Sequence, residues 1–243
     1  MDDSITVILN GYRRSSTLEE QFNSIQKQTV QPKNIFLWQN FHPETYDKFP
    51  DSVKQNCVTA VCNTNLGVWS RFAYALNAKT KYVCIFDDDT IPGSKWLENC
   101  LNTIQTHRGL LGTRGIIFQN QHSYHHTHGI GWETANEEVA HVDIVGHCWF
   151  FEKEWLSAYW YEMPPKEFFF AGEDMHFSYA IQKHYGLKTY VPPHPKNDKE
   201  MWGSLKAVEY GDGVEATCKF AIPEMYNYLN YIVSKGFKVI NQI

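Results

Sequence analysis

Short apolar runs and amphipathic segments alternate along the first hundred or so residues. Ile5-Thr6-Val7-Ile8-Leu9 is β-branched and of strand length. Ser16-Thr17-Leu18-Glu19 has the form of a capping box, and Leu18, Phe22 and Ile25 recur at i, i+4 and i+7, predicting a helix that ends before Pro32. Asn34 to Trp38 and Cys57 to Val61 predict two further strands. Gly67 to Ala78 shows Val68, Phe72, Ala75 and Leu76 on one helical face, and Tyr82-Val83-Cys84-Ile85-Phe86 reads as a buried strand. Ser94 is placed to cap a helix carrying Trp96, Leu97, Cys100, Leu101 and Ile104. Such β–α alternation with short connections predicts a parallel sheet with right-handed crossovers.

After residue 105 the alternation weakens. Leu110 to Phe151 is strand-like, interrupted by a polar His-rich segment, Gln119 to Gly131, expected to be an exposed loop. Gly172 to Tyr185 predicts a helix entered through Glu173-Asp174, and Lys188 to Val191 a short strand. Residues 193–217, rich in Gly, Lys, Asp and Glu, are expected to form a mobile loop. A last helix over roughly 222–235 presents Met225, Leu229, Ile232 and Val233 on one face. No Ser/Gly-rich or Pro-rich linker and no repeat divides the chain, so one α/β domain over 1–243 is expected.

With 243 residues the chain can bury a substantial core. Net charge is −5 without a basic stripe, which argues against nucleic acid as a partner. No apolar run approaches the roughly 18 residues that span a bilayer. Met1-Asp2-Asp3-Ser4 is acidic and leads straight into a strand, unlike a signal peptide. The six cysteines (57, 62, 84, 100, 148, 218) show no C-x-x-C pair, so reduced thiols and a cytoplasmic protein are expected.

Candidate chemistry begins at Asp87-Asp88-Asp89, directly after the apolar run ending at Phe86. Open α/β sheets bind ligands at the carboxyl ends of their strands, and hard divalent cations take carboxylate oxygens. The alternative is an acidic turn that merely closes a strand. Asp87 and Asp89 are the candidate ligands for Mn²⁺ or Mg²⁺, Asp89 the more direct of the two. His122, His125, His126 and His128 match no standard zinc spacing and are expected on an exposed acceptor-side loop.

Three ordered stretches carry a family resemblance. Ile5 to Arg14 resembles the opening strand and loop of family 2 glycosyltransferases of the GT-A fold, and Thr17 to Thr29 resembles their first helix. Asn65-Leu66-Gly67-Val68-Trp69-Ser70-Arg71, followed by Asp87-Asp88-Asp89, resembles their Asn-x-Gly…Arg and Asp-x-Asp pair; its wording is also similar to exostosin-type and some viral transferases. The likeness covers about residues 5–105 and continues only as islands. Gln39-Asn40 stands where the family commonly has an acidic pair, and Asn10-Gly11 replaces Pro-Thr. The nucleobase therefore stays open, with uridine as the family default.

What the resemblance implies is a metal-dependent glycosyltransferase acting on a nucleoside-diphosphate sugar, with residues 1–105 binding the donor and 106–243 completing the site. Asn10, Tyr12, Arg14, Gln39, Asn65, Arg71, Asp87 and Asp88 are its expected donor-side contacts, Asp88 orienting ribose or a metal-bound water. Gly172-Glu173-Asp174-Met175 resembles the Glu-Asp motif of inverting enzymes, which makes Asp174 the expected base and Glu173 a binder of hydroxyls. A helix-capping role is the alternative for that pair. His194 corresponds to a late histidine that completes the metal shell, and Trp202-Gly203-Ser204 to a lid. Gly146, His147 and Trp149 are expected on the acceptor floor.

A retaining transferase is the nearest rival, separable by product anomer. A sugar-phosphate nucleotidylyltransferase would carry its Gly-x-Gly-Thr-Arg loop after the first strand, but Gly112-Thr113-Arg114-Gly115 comes a hundred residues later. A noncatalytic sugar-binding relative would be expected to lose part of the acidic set. P-loop and dinucleotide fingerprints are missing. The sequence leaves open the donor sugar, whether a glycan, glycoprotein or lipid-linked molecule accepts it, and whether the chain forms a homo-oligomer. Any lipid-linked acceptor would be met at the membrane periphery, and a bacterial or viral enzyme of surface polysaccharide or glycoprotein synthesis is the expectation.

Overall fold

The first apolar run forms β1 (Ile5–Gly11), buried along nearly its whole length. A computed structural model describes residues 3–169, 171–210 and 222–241, without the side chains of 124–128 and 222. Phe170, Cys218 and the end of the expected 193–217 loop lie outside the described residues. β1 pairs in parallel with β2 (Asn34–Gln39) on one side and with β4 (Tyr82–Phe86) on the other, while β3 (Val58–Val61) extends the sheet beyond β2. The helices between these strands are α1 (Leu18–Gln26), α2 (Asp51–Gln55) and α3 (Ser70–Tyr74), and α4 (Trp96–Thr106) follows β4. The parallel α/β half thus follows from the periodicity.

The second half departs from that simple alternation. It contributes β5 (Gly109–Leu111), β6 (Arg114–Asn120), β7 (Ser123–Gly131), β8 (Ala140–Val142), β9 (Ile144–Gly146), β10 (Cys148–Glu152) and β11 (Lys188–Val191). Helices α5 (Leu156–Tyr161), α6 (Glu173–Tyr185), α7 (Ala207–Tyr210) and α8 (Ile222–Ser234) complete the described α-helices. The eight-stranded sheet runs β3-β2-β1-β4-β10-β5-β11-β8, with β10 inserted antiparallel between β4 and β5. A three-stranded sheet, β7-β6-β9, packs beside it. One buried apolar cluster runs from Ile5 and Leu9 through Phe86, Phe150 and Tyr159 to Leu229 and Ile232, so both halves share a core.

Several local expectations change. The His-rich segment is not a loop: Ser123–Gly131 pairs with β6, because the hairpin gives its backbone partners despite polar side chains. The helix expected over 67–78 shortens to α3 plus a 3₁₀ turn at Ala75–Asn77. The capping box at Ser16–Glu19 does not form. Thr17 has α-region backbone, and its hydroxyl donates instead to the Arg14 carbonyl at 2.8 Å and the Asp88 carbonyl at 2.6 Å.

That last contact ties α1 to the acidic turn. Gln21, fully buried one turn later, donates through Nε2 to the carbonyls of Asp87 and Thr90, both at 2.7 Å. The turn backbone is therefore held by side chains of α1 as well as by its own strand. Gln21→Leu keeps the volume but leaves those carbonyls without their donor, and is expected to cost about 2–4 kcal/mol. Urea denaturation should show the loss as a lower midpoint at unchanged slope.

Candidate active site

The register of β10 against β4 decides the centre of the site. Phe86 lies opposite Cys148, so Asp87 leaves β4 beside His147, and the Asp87 N–H donates to the His147 carbonyl at 3.0 Å. One donor atom from each of Asp87, Asp89 and His147 falls within a common span of 4.8 Å. His147 Nδ1 lies 3.2 Å from Asp89 Oδ1. Asp88 turns the other way: it accepts from the backbone N–H of Arg13 and Arg14 at 3.2 and 3.3 Å and from Arg14 Nη1 at 2.7 Å. In this structure Asp88 therefore fastens the loop after β1 to the acidic turn.

A second carboxylate pair stands at the start of α6. Gly172 adopts φ 97°, and a Cβ there would come within 2.6 Å of the Tyr228 ring, so only glycine admits this entry into the helix. Glu173 is buried and accepts from Arg71 Nη2 at 2.7 Å. Arg71 Nη1 reaches Asp87 Oδ1 at 2.8 Å, so one guanidinium joins both acidic groups. Asp174 is partly exposed, accepts from the Met175 N–H at 2.7 Å, and has its other oxygen 4.0 Å from the position a Cβ would take on Gly146.

The charges are unevenly matched. Burial pushes Asp87 up to about 7 against the pull of Arg71, with Asp89 adding to the rise. Burial also works against Asp89, but His147, Arg14 and Thr90 outweigh it and hold that carboxyl below the ordinary range. Burial and the neighbouring Glu173 charge push Asp174 up to about 7. Two carboxylates and an imidazole facing one another, with carboxylate charge left over, suit a divalent cation such as Mn²⁺ or Mg²⁺. The donor set fits the cation that the sequence led us to expect.

The structure places the other expected residues differently. His194 is fully buried; its Nδ1 faces the Pro192 carbonyl at 2.9 Å, while Nε2 meets the Gly203 N–H and the Thr113 hydroxyl at 3.2 and 3.1 Å. Both ring nitrogens are engaged in holding the 192–203 segment, and the histidine beside the aspartates is His147. Gln39 is buried and donates to the Tyr46 carbonyl at 2.6 Å, bracing the loop after β2. Asn40 takes the neighbouring position, donating to Asn65 Oδ1 and accepting from the Leu66 N–H. Asn65 donates in turn to the Tyr12 hydroxyl at 3.0 Å, and Asn10 is half-buried one residue before the end of β1. Trp149 lies beneath Arg71, 4.6 Å from its guanidinium carbon, and is core. His122 sits in the β6–β7 turn against Gln121, and the side chains of His125, His126 and His128 are outside the described set. A polar hollow of about 590 Å³ beside α1, lined by Glu19, Asn23, Lys27 and Glu200 among others, contains none of the candidate carboxylates.

Comparison with known proteins bears on this geometry. Residues 6–160 match the sequence profile of glycosyl transferase family 2. The chain belongs to that family. Its structure is similar to the crystal structure of S. aureus TarS 1–349 in complex with UDP (TM-score 0.55, 16% identity, 77% of this chain and 60% of that one). The complex of TarS 1–349 with UDP-GlcNAc gives TM-score 0.55 at 13% identity over 96% of this chain and 71% of that one. Against the longer TarS structure the chain covers 36% of the partner. The chain thus spans less than two thirds of the first of these structures. No curated protein sequence matches it significantly. The likeness is one of fold, and that fold is the expected GT-A arrangement.

Sequence reasoning missed the placement of His147 beside the aspartates and the brace from Gln21. The first depends on β10 lying antiparallel beside β4, and the second left no pattern in the sequence. Between 3.8 and about 7 the folded protein keeps on Asp174 a proton that the unfolded chain has released, so this group's contribution to stability falls as pH rises through that window. Asp174→Asn removes the penalty. Thermal unfolding should show Tm a few degrees above wild type at about pH 8 and no gain near pH 4.

Proposed function

We propose that this glycosyltransferase moves a sugar from a UDP-sugar to a hydroxyl acceptor on a glycan, glycoprotein or lipid-linked molecule, with inversion at the anomeric carbon. The observation that carries the reading is the cluster of Asp87, Asp89 and His147, joined through Arg71 to Glu173, the residue before Asp174. Asp87, Asp89 and His147 would hold Mn²⁺ or Mg²⁺. When bound, the cation supplies positive charge to the leaving diphosphate.

The chain's own residues do the remaining work. Arg14, ion-paired to Asp88 at 2.7 Å and 3.7 Å from Asp89, brings a second cation to the diphosphate position. Tyr12, Asn40 and Asn65 form a hydrogen-bonded rim for the nucleoside. Asp174, raised to about 7, takes the proton of the acceptor hydroxyl, and a base of that strength is matched to neutral pH. Glu173 stays paired to Arg71 and keeps the base at the head of α6. The uridine nucleotide is carried over from TarS, whose structures contain UDP and UDP-GlcNAc. Residues 1–105 would bind most of the donor, with His147 reaching in from the second half. Among the described residues no helix is long and apolar enough to cross a membrane, consistent with acceptors met from solution or at a membrane surface.

Calorimetry with UDP tests the donor site: binding is expected to require Mn²⁺ and to weaken by about 10-fold or more in Asp89→Ala. Asp174→Asn should keep UDP binding while transfer falls by about 10²–10⁴-fold. A product with the donor's own anomeric configuration would overturn inversion, and UDP binding indifferent to Mn²⁺ would overturn the cation site.

A further inference from the structure

Among the described residues, two non-glycine positions have left-handed backbone, Trp132 at φ 61° and His147 at φ 62°. Bulky side chains avoid that region, and those found there are held by their surroundings and gather at functional sites. These two hold each other. Their rings stack with centroids 3.8 Å apart and planes 21° from parallel.

The sheet explains how they meet. Arg114 in β6, the middle strand of the smaller sheet, pairs with Gly131 of β7 on one side and Gly146 of β9 on the other. The next residues, Trp132 and His147, therefore leave the sheet at the same level, two strands apart. A left-handed residue at each place turns the chain inward across Thr113, whose carbonyl accepts from the Trp132 N–H at 2.7 Å. On the other side the His147 carbonyl accepts from the Asp87 N–H and the Thr90 hydroxyl, both at 3.0 Å. Trp132 is only 2% exposed, so it covers one face of the imidazole while Nδ1 is left facing Asp89.

We propose that Trp132 is a positioning residue: its indole fixes the ring plane of His147 so that the imidazole completes the divalent-cation site with Asp87 and Asp89. The inference rests on the cation reading of that site. Two strained backbones and a buried stack are more than packing against the sheet requires, and their common effect is the direction of one imidazole edge.

Mn²⁺ uptake in the presence of UDP, followed by the electron paramagnetic resonance signal of free Mn²⁺, tests it. Trp132→Leu and His147→Ala should each weaken uptake by about 10-fold or more, with the double variant no worse than either single one. Trp132→Phe, which keeps a stacking ring, should stay near wild type. Unchanged uptake in folded Trp132→Leu overturns the positioning role and leaves the cation reading standing; unchanged uptake in His147→Ala overturns it by removing His147 from the site. A wild type that takes up no Mn²⁺ removes the cation reading and this proposal together. Should Trp132→Leu not fold, the proton spectrum of the wild type decides. Ring protons of His147, assigned by their loss in His147→Ala, are expected upfield of the other histidines and should move on addition of Mg²⁺ and UDP; ordinary, unmoving resonances overturn the proposal.

Discussion

Arg71 reaches Asp87 with one terminal nitrogen and Glu173 with the other, at 2.8 and 2.7 Å, and its planar group lies over the Trp149 ring. It is 5% exposed, so solvent reaches the two ion pairs only from the carboxylate side. Burial works against its charge, and the two carboxylates more than restore it. Taking away one partner of such a set strands the others, a loss of about 3–5 kcal/mol in buried pairs generally. The turn after β4 and the head of α6 come from distant parts of the chain, and this guanidinium makes their separation a fixed quantity.

Around that link the acidic turn is braced from several sides. Thr17, just ahead of α1, and Gln21 within it hold its carbonyls, Arg14 and the N–H groups of residues 13 and 14 hold Asp88, and the His147 carbonyl takes the Asp87 N–H. With the backbone so constrained, Asp87 and Asp89 keep their carboxylates together although like charges repel. The cost appears as the Asp87 and Asp174 carboxyls, raised first by burial, and as the left-handed backbone at Trp132 and His147. Departures from local preference collected at one place are what a functional site is expected to show.

Much of this was legible in the chain itself. The β-branched run at Ile5 to Leu9, the 3.6-residue spacing of Leu18, Phe22 and Ile25, and the apolar run ahead of Asp87 determine a parallel α/β half, because each period matches one way of burying a face. The same logic brings the acidic triplet to the carboxyl end of a strand and the Glu-Asp pair to the first turn of a helix. These are local properties, written within a few residues of one another.

The tertiary structure decided which histidine meets the aspartates. His147 and His194 both follow strand-like segments, and nothing in their neighbourhoods distinguishes a ligand from a buried brace. Insertion of β10 antiparallel beside β4 brings His147 to Asp87, while Thr113 and Gly203 close around His194. It likewise made Thr17 of the expected capping box a tether for Asp88, seated Gln39, an expected donor contact, against the Tyr46 carbonyl, and gave the polar His-rich segment a strand partner. Pairing between strands far apart in sequence depends on which backbone edges are free once the core has formed, and a side-chain pattern read along one segment carries no record of that choice.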